Sequence, residues 1–79
     1  MKICITAKPY SLILEHIRSD NLAYNAVKSA LKIEGGITSL DDFWIDCSES
    51  EADEILAMAR TNFPPFTREI EDAIAHALR

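Results

Sequence analysis

Four carboxylates have the spacing most suggestive of chemistry. Glu51-x-x-Glu54 is followed by Glu69-x-x-Asp72, and acids three residues apart on two antiparallel helices can hold Mg²⁺ for work on phosphates. Cys47 is a second candidate, because it lies between an expected strand and a helix N-terminus, where backbone N–H groups and the helix dipole can lower a thiol pKa. Its neighbours Asp46, Glu49, Glu51 and Asp53 oppose a thiolate, and no Arg follows to clamp an anion. Cys47 therefore reads as a small core residue, and so does Cys4. His16 and His76 have no Cys or His at i+3 or i+4 to make a metal pair. His76, in the last turn of the chain, suits a helix C-terminus instead. Asp41-Asp42-x-x-x-Asp46 lacks the glycine and terminal Glu of a calcium loop, and no elbow motif supports a Ser-His-Asp set. No catalytic residue, metal ligand or cofactor is assigned.

The Glu51, Glu54, Glu69 and Asp72 spacing resembles that of the all-α nucleotide pyrophosphohydrolases of the MazG type. The resemblance spans about 22 residues and implies an acidic set facing inward across a helical bundle, with Mg²⁺-dependent hydrolysis of a nucleotide. At about 100° per residue, however, Glu51 and Glu54 fall off the Ala52/Ile55/Leu56/Ala59 face, and Glu69 and Asp72 fall off the Ile70/Ile74/Ala77 face. Strands are also expected where that family has helices. Phosphohydrolysis is thus an alternative rather than the leading expectation.

Trp44 is the more informative residue. In Asp42-Phe43-Trp44-Ile45-Asp46-Cys47 a strand directs Phe43, Ile45 and Cys47 to one side and Trp44 to the other. If Phe43 and Ile45 enter the core, Trp44 leaves it and becomes an anchor for a partner, its acidic rim supplied by Asp42, Asp46 and Glu49. If helices cover both sheet faces, Trp44 is ordinary core.

A third possibility lies in the first half, where two helices separated by Ser19-Asp20-Asn21 imitate a helix-turn-helix over residues 9–34. Tyr24, Asn25, Lys28 and Lys32 would form a polar stripe on the second helix, with Arg18 near the turn. The overall acidity and a turn without glycine weigh against nucleic-acid binding.

The elements that must position these residues follow from periodicity. Ile3, Ile5 and Ala7 alternate with Lys2, Cys4 and Thr6, which predicts a strand over 2–7 feeding a helix whose first turn tolerates Pro9. Tyr10, Ile13, Leu14 and Ile17 share a face of that helix, with Leu12 roughly opposite. A second helix is expected over about 22–34, carrying Ala23, Ala26, Val27, Ala30 and Leu31 and ending at Gly35-Gly36. Residues 42–47 predict a second strand. Ser48 and Glu51 then form a capping-box pattern that opens a helix burying Ala52, Ile55, Leu56, Ala59 and Phe63. Pro64-Pro65 stops it, and a last helix from near Phe66 aligns Ile70, Ala73, Ile74, Ala77 and Leu78. The expected fold is a small α+β domain of order β-αα-β-α-α, with two short strands and four amphipathic helices. The long first connection allows a right-handed crossover, which would make the strands parallel. The last two helices would pair as an antiparallel hairpin.

Composition sets the bounds. The chain has 79 residues, enough for one domain, and its 48% apolar content with two Gly and three Pro excludes collagen-like and disordered readings. Ten of the apolar residues are Ala, so the core is thin and a second subunit is the natural staple, extending a two-strand sheet with unpaired edges. Two distant cysteines, a short apolar N-terminal stretch and no apolar run near the ~18 residues of a membrane span lead us to expect a reduced, cytoplasmic protein off the membrane. Net charge is −5, divided as +2 over residues 1–40 and −7 over residues 41–79, which repels nucleic acid and suits a basic surface. The expected function is a small non-enzymatic protein-interaction or regulatory module, a homodimer, with a basic protein as a further possible partner.

Overall fold

The computed structural model describes residues 1–34 and 41–79. The Gly35-Gly36 helix stop expected above lies outside the described residues. The described residues form a small α+β domain of three antiparallel strands and four helices: β1 (Lys2–Thr6), α1 (Ala7–His16), α2 (Tyr24–Lys28), β2 (Leu31–Ile33), β3 (Asp42–Asp46), α3 (Glu49–Asn62) and α4 (Thr67–Ala77), with a 3-10 turn over Pro64–Phe66 between the last two.

The strand order is β1-β3-β2, with β3 antiparallel to both neighbours. Two expectations are corrected here. The sheet has three strands rather than two, and residues 42–46 run antiparallel to residues 2–6 rather than parallel. Because β1 and β2 both oppose β3, they point the same way. The two helices do cross between co-directional strands, but the second of these is β2, and β3 inserts itself between them. The expected helix over 22–34 is likewise corrected to the five residues of α2 followed by a strand. Leu31-Lys32-Ile33 fits a period of two as well as a helical face, and pairing with Trp44, Phe43 and Asp42 satisfies its backbone where an isolated short helix would be marginal.

Strand alternation builds the core. Ile3, Ile5 and Ile45 are fully buried on one face, where they meet Tyr10, Ile13 and Ile17 of the α1 region, Val27 of α2, Ile55 and Ala59 of α3, and Ile70 of α4. Pro9 joins the buried stripe of α1, centring it on Ile13. Leu14 is consequently left exposed and Leu12 is half-buried against the core, the reverse of the expected assignment. Tyr10 fixes α2: its hydroxyl donates to the Val27 carbonyl at 2.6 Å while its ring stacks on Phe43 at 4.0 Å. The expected capping box is present, with the Glu51 N–H donating to Ser48 Oγ at 3.2 Å and the Ser48 N–H donating to Glu51 Oε1 at 2.7 Å. Arg60 and Glu71, 3.6 Å apart, link the paired helices α3 and α4. Among the described residues no helix is long and apolar enough to cross a membrane.

Candidate functional site

The face of the sheet opposite the core carries Lys2, Cys4 and Thr6 from β1, Asp42, Trp44 and Asp46 from β3, and Leu31 and Ile33 from β2. The register sets them in rows. Cys4, Trp44 and Leu31 lie side by side across the three strands, Thr6, Asp42 and Ile33 form a neighbouring row, and Lys2 stands beside Asp46. Trp44 is thus outside the core, 40% exposed, beside Leu31 at 63% and Ile33 at 44%. Three large apolar side chains standing together in water are costly to maintain, and such clusters mark contact surfaces.

Among the described residues, one helix borders this face along β1. Helix α4 runs alongside β1, anchored where the Glu69 carboxylate accepts the Thr6 N–H at 2.8 Å and the Thr6 hydroxyl at 2.9 Å. That bond diverts the Thr6 side chain from capping α1, which has no side-chain cap. Two clefts then flank Trp44. One, of about 450 Å³, is lined by Lys2, Ser29, Leu31, Ile33, Trp44 and Asp46; the other, of about 320 Å³, lies toward α4 between Trp44, Cys4, Ala73, His76 and Ala77.

Of the expected rim, Asp46 lines the first cleft and Asp42 closes the other end of the same strand opposite Ile33. Glu49 sits in the first turn of α3 and lines neither cleft. Sequence reasoning misses Leu31 and Ile33, because a helical face over 22–34 takes them in and the three-residue alternation of Leu31-Lys32-Ile33 is too short a signal to separate strand from helix.

The other candidates separate. Glu51 is engaged in its capping box and Glu69 by Thr6. Glu54 faces a groove beside His16 and Arg18, whereas Asp72 shares with Glu69 a cleft that Asp42, Arg68 and His76 also line, so the α3 and α4 acids are apart. Among the described residues no three His, Cys, Asp or Glu side chains come close enough to hold a metal ion, so the quartet has no common centre. The polar stripe of the helix-turn-helix reading also breaks up. Lys32 is on β2 with its ammonium 3.3 Å from Asp41, and Lys28 lies over the Tyr24 ring at 5.6 Å on a helix of five residues, too short to serve as a recognition helix.

Neither thiol is set up as a nucleophile. Burial pushes the Cys47 pKa up, aided by Glu51 and Asp46 against the opposing pull of the Met1 ammonium. Cys4 is also raised, first by burial and then by Asp42 and Glu69. His16 Nδ1 lies 2.8 Å from the Leu12 carbonyl, one turn back in its own helix.

Compared with known protein families, characterised proteins and solved structures, the chain matches none.

Proposed function

We propose that the protein is a small non-enzymatic association module that pairs with a second copy of itself across the open sheet face around Trp44. The observation supporting this is the juxtaposition of Leu31, Ile33 and Trp44, all substantially exposed, on a face where α4 accompanies only the β1 side. Lys2 and Asp46 edge the cleft beside Trp44 with opposite charges, which suits a surface that must meet its own copy. Net charge −5 favours a protein over a nucleic acid as the partner. Cys4 and Cys47 are free thiols, in keeping with a reducing, cytoplasmic setting.

Sedimentation equilibrium of the wild-type chain and Trp44→Ala tests the proposal. The wild type is expected to be dimeric at micromolar concentration, with a melting temperature that rises with concentration. Trp44→Ala should weaken the dimer by about 2 kcal/mol, or about thirtyfold, while the helix signal of the subunit persists. A wild-type mass of one chain throughout the micromolar range would overturn self-association, and a basic protein that bound through Trp44 would then take the place of the second copy.

A further inference from the structure

We infer that His76 makes the proposed association sensitive to pH, its protonation tightening the dimer by relieving negative charge on the α4 side of the Trp44 face. The inference rests on the proposed self-association and adds its regulation.

His76 stands where that face meets the helix. It is exposed on the last turn of α4. One of its clefts is the one beside Trp44, shared with Lys2, Cys4, Ala73 and Ala77. The other adjoins it and is lined by Asp42, Arg68, Glu69 and Asp72, with Cys4 again. A second copy seated around Trp44 therefore lies against this side of the helix.

Charge is uneven across the face. Lys2 stands beside Asp46 in the β1–β3 register, and the two balance each other. Toward α4 there is no such balance: β3 contributes Asp42 and the helix contributes Glu69 and Asp72, with Arg68 alone in opposition. Glu69 keeps its charge while it accepts the Thr6 bonds. The negative field reaches Cys4 of β1, whose thiol is held above its ordinary pKa first by burial and then by Asp42 and Glu69.

A two-fold pairing brings two such faces together, and like charges set against each other across an interface cost affinity. Histidine is the side chain whose charge changes within the physiological pH range. With His76 neutral, three carboxylates face one guanidinium on each copy; with His76 protonated, they face two cations. The dimer therefore takes up protons relative to two free subunits, and its dissociation constant falls as pH falls. A protonated His76 is also attracted to the C-terminal end of its own helix, but that attraction is the same in monomer and dimer and leaves the dissociation constant alone.

The chain has two histidines, and the other supplies the control. His16 is on α1, in a groove with Arg18 and Glu54, and lines neither cleft beside Trp44. Sedimentation equilibrium at about pH 8 and about pH 6 tests the inference. At low salt the wild-type dissociation constant is expected to fall about tenfold between the two, and the difference should vanish at about 1 M salt, where the Debye length is about 3 Å. His76→Gln should hold the weaker affinity at both pH values, His76→Arg the tighter affinity at both, and His16→Gln should keep the wild-type step. A wild-type dimer with one dissociation constant at both pH values, or a step that survives in His76→Gln, would overturn the switch. If Trp44→Ala still weakens that dimer, the association reading stands without it. A wild-type chain that is monomeric at both pH values removes both.

Discussion

Glu69→Ala should loosen the joint between α4 and the sheet. The carboxylate of Glu69 accepts two charge-assisted bonds from a single residue, the Thr6 N–H at 2.8 Å and the Thr6 hydroxyl at 2.9 Å, across 63 positions of sequence. Hydrogen bonds to a charged group contribute about 1.5–3 kcal/mol each when shielded. Both partners here are half-buried, so the lower part of that range applies, and the hydroxyl recovers part of its loss from water. We expect about 2 kcal/mol for Glu69→Ala. Glu69→Gln keeps an acceptor of the same shape without the charge, and should cost about half as much because neutral bonds are about half as strong. In a domain of this size about 1 kcal/mol shifts the melting temperature by roughly 4–8 °C, so circular dichroism should place the alanine variant roughly 8–16 °C below the wild type and the glutamine variant between them. Thr6→Val retains the backbone donor and should resemble Glu69→Gln. Releasing Glu69 also uncovers the β1 edge, so light scattering should show Glu69→Ala forming larger assemblies than the wild type on warming. A melting temperature for Glu69→Ala within about 2 °C of wild type would show that the Thr6 bonds do not hold α4 in place.

Tyr10→Phe keeps the stack on Phe43 but removes the 2.6 Å bond to the Val27 carbonyl, which retains the Ala30 N–H at 3.3 Å; urea unfolding should show a loss of about 1 kcal/mol with an unchanged m-value, and an unaltered midpoint would refute it. The raised thiols make a prediction about pH. The native state holds Cys4 and Cys47 protonated more firmly than the unfolded chain does, so their contribution to stability is complete below the ordinary thiol pKa and is lost as pH rises through the higher folded values. Alkylation by iodoacetamide should accordingly be slow near neutrality at both sites and slower at buried Cys47. Rapid labelling of native Cys47 at pH 7 would contradict the burial.

The local elements were legible because their causes are local. Alternation of Ile3 and Ile5, and of Phe43 and Ile45, predicted two strands; Ser48 with Glu51 marked the start of α3; Pro64-Pro65 marked the break before α4. That Trp44 points away from Phe43 and Ile45 followed from parity, since neighbours on a strand occupy opposite faces, but whether helices cover that second face was left open by the sequence. What the sequence could not supply was pairing at a distance. Leu31-Lys32-Ile33 is too short for its period to separate strand from helix, and it is a strand because Asp42–Trp44 offers a ladder to complete. With β2 unrecognised, the direction of β3 was misread, and Trp44 had no visible apolar neighbours. The carboxylates show the same limit: spacing put Glu69 with Asp72 and Glu51, but a carboxylate goes to the nearest unsatisfied donor in three dimensions. For Glu69 that donor is Thr6 at the end of the first strand, a contact that exists only once α4 has come to lie along β1.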